Sequence, residues 1–148
     1  MWYDLQIANH HICKGWIAMR LNPDCVREVL LAIEDAALGD HISPATLHRS
    51  LSQYTEEEIE YTCLVLSDGN FLQVMTIQLP GQERPGVKSI IRLTFQGHEF
   101  IAKIRDPERW PKLKKAVSTV RDYSLSALNA IADGASAAAI STLVFGRA

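Results

Sequence analysis

Residues 43–72, SPATLHRSLSQYTEEEIEYTCLVLSDGNFL, decide how this chain folds. Ser43 suits a helix N-cap, because its hydroxyl can accept from the unpaired amides of the first turn. Pro44 follows at the first helical position, where a missing N–H costs nothing. Leu47 and Leu51 lie four apart and share one face. Thr55 is a second N-cap, and Glu58 three residues later has the spacing of a capping box. Ile59, Cys63 and Leu66 recur at i, i+4 and i+7, a stripe that buries one side of the helix. Asp68, Gly69 and Asn70 stop that helix, and Phe71 with Leu72 begins an extended run. Helix, short turn, helix, stop and strand together spell a helix-turn-helix running into a wing.

On the N-terminal side, Asn22 and Pro23 open another helix as cap and first-turn proline. Val26, Val29, Leu30, Ile33 and Ala37 give it an apolar face, and Gly39-Asp40 is expected to end it. On the C-terminal side, FLQVMTIQL (71–79) and SIIRLTF (89–95) read as two strands joined by a polar turn at 80–86. The pattern places Met75, Ile77 and Leu79 on one face, and Ile91, Leu93 and Phe95 on one face of the return strand. Thr94 caps a helix over Phe95–Ile104. Asp106 and Pro107 start another, with Trp110, Leu113, Val117 and Val120 inside. Ser124 caps a last short helix carrying Leu125, Leu128 and Ile131. The expected fold is α+β: a winged helix-turn-helix with a two-stranded wing and a C-terminal helical extension.

Three regions follow from this reading. Residues 1–18 lack an amphipathic period, and Met19 precedes a clean helix at once, so the first eighteen residues are expected to be a peripheral leader, an extension from an upstream start codon. Residues 19–132 form the winged-helix domain with its C-terminal helices. Residues 133–148 are an alanine-rich tail whose apolar run is shorter than the ~20 residues of a bilayer span.

The chain has 148 residues and a net charge of −2, so one domain with a real core is expected and no global basic field draws it to nucleic acid or membrane. Three cysteines, Cys13, Cys25 and Cys63, are an odd number, and two lie on or beside apolar stripes. Buried thiols in a reducing cytoplasm fit this better than a disulfide framework.

The run LTFQGHEF (93–100) resembles the LTxxG segment that follows the second wing strand in many winged-helix regulators. There the threonine caps the next helix and the glycine permits close packing. More narrowly, RLNPDCVREVLLAIED (20–35), YTEEEIEYTCLVLSDGNFL (54–72) and LTFQGHEFIAKIRDPERWPKLKKAV (93–117) resemble a domain-of-unknown-function family of uncharacterised bacterial and phage proteins, many in prophages. The resemblance spans roughly residues 19–132, and GHEFIAKIRD followed by Trp110 is its most specific part. It implies a winged-helix fold and a prophage setting. It implies no chemistry.

Candidate chemistry is sparse. His10, His11 and Cys13 offer metal-ligand types, but a structural zinc site needs a second ligand pair and none follows. Gly97-His98-Glu99 lacks the second histidine of a metalloprotease helix, since Ala102 stands there. Glu99 suits a helix N-terminus, whose dipole favours an acid. His41 and His48 have no ligand partner at matching spacing. Phosphate-binding glycine loops and nucleophile elbows are absent from the sequence. The expectation is a non-enzymatic protein without catalytic residues, metal or cofactor.

Charge is unevenly spread. Residues 19–62 hold nine acids and three bases, whereas residues 103–122 hold seven bases and three acids. With Ile59, Cys63 and Leu66 inside, Glu57, Glu60, Tyr61 and Leu64 are expected to turn outward. Two acids, an aromatic and an aliphatic suit a protein contact better than a phosphate-lined groove. The reading is therefore a regulatory winged-helix protein, cytoplasmic, acting through a protein partner or a second copy of itself. The alternative is a DNA-binding regulator that meets phosphates through Arg84 and Lys88 on the wing and Lys112, Lys114 and Lys115 behind it. Neither reading involves a membrane.

Overall fold

A computed structural model describes residues 20–121 and 124–134. Among these residues there are six helices and one antiparallel two-stranded sheet, an α+β architecture. The helices are α1 (Pro23–Asp35), α2 (Pro44–Ser50), α3 (Glu56–Asp68), α4 (Phe95–Ile104), α5 (Trp110–Val120) and α6 (125–134). The strands are β1 (Leu72–Ile77) and β2 (Gly86–Leu93). The leader and most of the alanine-rich tail lie outside the described residues.

The helix starts follow the capping chemistry. Asn22 Oδ1 accepts from Asp24 N at 3.0 Å, and Thr94 Oγ1 accepts from Gly97 N at 3.0 Å. Ser43 makes a complete capping box with Thr46, a residue the sequence reading left unused. At α3 the box is split. Thr55 Oγ1 accepts from Glu58 N at 3.1 Å, while the Glu58 carboxylate accepts from Asn22 Nδ2 at 3.3 Å. That carboxylate therefore links the starts of α1 and α3 across 36 residues.

Two helix boundaries differ from expectation. Helix α1 ends at Asp35, four residues early, because Ala36 is already extended. The next four residues close their own turn: Asp40 Oδ2 accepts from Ala37 N, and Asp40 N donates to Ala37 O, both at 3.0 Å. A side chain that satisfies the local backbone competes with helix propagation. Ala37 is consequently exposed. Helix α5 starts at Trp110, three residues after Pro107. Pro111 has no N–H to donate, so it must sit in the first turn. Asp106 instead shapes the approach, its Oδ1 accepting from Glu108 N at 2.9 Å.

The end of α3 is a Schellman motif. Phe71 N donates to Leu66 O at 2.8 Å and Asn70 N to Ser67 O at 3.0 Å. The left-handed residue is Asn70, with φ of 66°, rather than Gly69. Asparagine tolerates that conformation better than other residues with a Cβ.

The hairpin departs from simple alternation. Leu72 pairs with Leu93, Val74 with Ile90 and Thr76 with Val87, and register shifts fall between Gln73 and Val74 and between Met75 and Thr76. Ile91 and Lys88 are the extra residues of β2 at these two bulges. Each bulge adds one residue to a two-residue repeat, so the buried apolar side chains of β2 become Val87, Ile90 and Leu93, three apart. Of the expected face, Leu93 is buried while Ile91 and Phe95 are exposed. Met75, Ile77 and Leu79 are also exposed. The other edge of β2 is held by one bridge, with Ile90 N donating to Ile42 O at 2.8 Å.

One core joins these elements. Val26, Val29 and Leu30 of α1, Ile59, Cys63 and Leu66 of α3, and Phe100, Ile101 and Ile104 of α4 are almost fully buried. Leu113 and Val117 of α5 and Leu128 of α6 extend it. The tightest point lies between α4 and the start of β1. A Cβ on Gly97 would stand 2.1 Å from Phe71 O, with Leu93 also in contact. Gly97→Val is expected to lower stability by roughly 3 kcal/mol, the scale of severe overpacking. His98→Ala, one residue on and exposed, is expected to stay within about 0.5 kcal/mol of wild type. Urea unfolding of both variants checks this, and a stable Gly97→Val protein would contradict the packing.

Candidate functional site

The outer face of α3 was expected to hold four outward residues. Glu57 is exposed, whereas Glu60, Tyr61 and Leu64 are half-buried. Leu64 packs against the core cluster. Glu60 leans onto the hairpin: Oε2 accepts from Val87 N at 3.0 Å, and Oε1 pairs with Arg84 Nη1 at 3.1 Å. Gly86 permits this approach, since a Cβ there would lie 3.1 Å from Glu60 Oε2. Glu60 and Arg84 thus fasten the hairpin to α3. Beside them lies an open depression of about 290 Å³, whose lining includes His41, Ser43, Glu56, Glu57, Glu60 and Lys88.

The cations proposed for phosphate contact are not grouped. Lys88 is exposed at a bulge of β2, and Lys112 and Lys115 are exposed on α5. Lys114 is turned inward toward Asp24, with Nζ 3.1 Å from Oδ1 and 3.2 Å from Oδ2. The same carboxylate accepts from Trp110 Nε1 at 2.8 Å, across 86 residues. Arg27 completes this junction. Its guanidinium lies 5.7 Å from the Trp110 ring centroid, and its Nε and Nη2 donate to Ile104 O at 2.8 Å and Arg105 O at 2.6 Å. These are the terminal carbonyls of α4, which the helix itself leaves unpaired. No local spacing announces a junction of this kind, so the sequence reading missed Asp24. It had Trp110 only as a core residue.

One further pair joins the acidic front to the basic back, and another ties the basic segment to α6. Glu34 pairs with Arg105, and Lys103 Nζ lies 2.7 Å from Asp133 and 3.0 Å from Asn129 Oδ1. The charge asymmetry of the sequence is partly met within the fold.

His10, His11 and Cys13 lie outside the described residues. His98 and Glu99 are exposed at the start of α4. His48 is half-buried on α2, with an Nδ1 that has no hydrogen-bond partner among the described residues. Among the described residues, no group of three or more His, Cys, Asp and Glu side chains is placed to hold a metal ion. No helix among them is long and apolar enough to cross a membrane. Cys25 and Cys63 are buried and free. Burial pushes the Cys25 thiol up from 9.0 to about 11, against a hydrogen bond from Thr62 that lowers it. Burial raises Cys63 further, with Cys25 and Glu60 adding to the shift. Thiols held protonated are poor nucleophiles.

These features define a small α+β domain in which several charged side chains brace the fold's own elements. The chain belongs to the family described as "Hypothetical protein (DUF2513)", whose model matches residues 20–123. No curated protein and no solved structure matches the chain.

The cysteines generate a pH prediction. Below pH 9 the thiol of Cys25 stays protonated in both the folded and the unfolded chain. Above that value the unfolded chain releases the proton and the folded one keeps it. Stability should therefore fall as pH rises from 9 toward 11. Burial also raises Tyr54, from 10.0 to about 12, which extends the decline. Urea unfolding from neutral pH to pH 11 should show the loss, and Cys25→Ala should make it shallower, with Cys63 and Tyr54 carrying the remainder. An unchanged profile in that variant would remove Cys25 as a cause.

Proposed function

We propose that this domain is a winged helix-turn-helix that works as a non-enzymatic regulatory module, making protein contact through the outer face of α3. The order of elements supports the fold reading. Helix α1 is followed by the Ile42 bridge, α2, α3 and then a hairpin whose second strand lies between Ile42 and β1. Helices α2 and α3 stand in the helix-turn-helix positions and the hairpin in the wing position.

One observation carries the functional reading. The 13 residues of α3 include five acids and no base. Glu56 and Glu57 are exposed at its start, and the nearby hairpin cation Arg84 is already engaged by Glu60. A duplex presents about one negative charge per 1.7 Å of axis, and each carboxylate brought to it opposes counterion release. Acids and a half-buried tyrosine suit a protein surface. The contact surface consists of Glu57 and Tyr61 foremost, with Glu60 and Leu64 behind them as supports.

Two measurements test this. Random and host-derived duplexes titrated with the protein should bind no more tightly than about 10⁻⁶ M at physiological salt, the non-specific range. Any residual binding should weaken in Lys112→Ala with Lys115→Ala, with a shallower salt dependence and unchanged sequence preference. Glu57→Gln should strengthen that binding or leave it alone. Affinity capture from the native host should retain a protein partner that is lost with Glu57→Lys and Tyr61→Ala at unchanged melting temperature. Sequence-specific duplex binding abolished by Glu57→Gln would overturn the reading in favour of base recognition by α3.

A further inference from the structure

We propose that two copies of this chain associate about a two-fold axis through a groove on the side of the molecule formed by the α1–α2 loop, β2 and the start of α4. This face is separate from the outer face of α3, and the proposal stands apart from the functional reading above. The groove has a volume of about 380 Å³. Ile33, Leu38 and Ile42 line one wall, and Ile91, Leu93 and Phe95 line the other.

The apolar exposure here is unusual. Leu38 is fully exposed at the tip of its loop, Phe95 is 75% exposed and Ile91 is 47% exposed. None of the three is needed outside by local structure. Leu38 caps no helix, Phe95 is merely the first residue of α4, and Ile91 is the extra residue of a bulge. Together they present on the order of a few hundred Å² of contiguous apolar surface, a scale that marks interaction sites.

The occupant is argued from complementarity. Of the charged residues that line it, Glu34 is held by Arg105, which leaves Asp40 on the loop wall and Arg92 on the strand wall. Asp40 Oδ2 accepts from Ala37 N at 3.0 Å, and Arg92 donates to Gln73 Oε1 at 3.0 Å and to Leu93 O at 3.2 Å. Neither forms an ion pair among the described residues. One copy therefore offers a protruding leucine, an apolar groove beside it, an acid on one wall and a base on the other. A two-fold axis places residue i against j and j against i. Leu38 of each copy then enters the other's groove between Ile91 and Phe95, and Asp40 of each faces Arg92 of the other. Knob and hole belong to the same patch, so the exchange closes as a dimer and does not propagate. A contact of this extent is small beside the roughly 1,200–2,000 Å² of stable specific interfaces, so weak, concentration-dependent association is expected.

Sedimentation equilibrium of the full chain from about 1 µM to about 500 µM reads the association directly. Wild type should pass from monomer to dimer over this range. Leu38→Glu, at a fully exposed loop position outside any helix, should leave the circular dichroism unchanged and weaken association by at least roughly 30-fold, the loss of one anchor residue. Asp40→Arg alone and Arg92→Asp alone should each remain monomeric, because each sets like charges opposite one another twice. An equimolar mixture of those two variants should form a heterodimer, since both cross-axis pairs are then restored. A wild-type chain that stays monomeric throughout overturns the proposal. So does a Leu38→Glu variant that dimerises like wild type, or a mixture no more associated than its components.

Discussion

The close approach of Gly97 to the carbonyl of Phe71 is the contact on which the arrangement depends. Phe71 closes the Schellman motif of α3 and leads directly into β1. Its carbonyl accepts from Thr94 N at 3.1 Å, and its ring stacks on Phe100 of α4 with centroids 4.8 Å apart. Thr94 Oγ1 also donates to Asn70 O. The end of one helix, the root of the hairpin and the start of the next helix thus share a few atoms. A side chain at position 97 would force these three apart. That is why a glycine stands in the first turn of α4, where its helix propensity is poor. The unfavourable local choice is offset by the packing it allows.

A second constraint comes from Asp24. It sits in the first turn of α1, where an acid complements the helix dipole, and it also receives Trp110 and Lys114 from α5. Arg27, one turn along α1, satisfies the last carbonyls of α4. The first helix of the domain therefore positions the two helices that follow the hairpin. Both Lys114 and Asp24 are substantially exposed, so their Coulomb attraction alone contributes little. The geometry matters more: an indole N–H and an ammonium converge on one carboxylate and fix how α5 lies on α1.

How much of this was legible in the sequence follows from the range of each cause. Caps are local, and Asn22, Ser43, Thr55 and Thr94 all cap where their side chains predict. The stripe Ile59, Cys63 and Leu66 is buried as its period requires. The bulges were not legible. A strand sequence of β-branched and aromatic residues carries no mark of an extra residue, so the face drawn through Ile91, Leu93 and Phe95 breaks at Ile91, the bulge residue, and at Phe95, which already opens α4. The contact residues were only partly legible for the same reason. Helical period gives the direction of Glu60, but the hairpin that covers it comes from 24 residues further on. Asp24 and Trp110 lie beyond any local pattern.

The same pairing bears on which partner the surface suits. The acidic front and basic back of the sequence suggest a dipolar molecule with a cationic face for a polyanion. Folding places Glu34 against Arg105, Asp24 against Lys114 and Glu60 against Arg84. Each pair removes one of the cations that a phosphate backbone would need and one of the acids that would repel it. Of the five cations expected to meet phosphates, Lys88 on the hairpin and Lys112 and Lys115 on α5 stay exposed and outside these pairs, spread over two elements. On α3 the remaining exposed charges are Glu56, Glu57 and Asp68, all negative. A helix that keeps only acids outside would meet phosphates at an electrostatic cost that dispersed cations on other elements do little to offset. A protein surface imposes no such cost, which is the physical ground for preferring it as the partner.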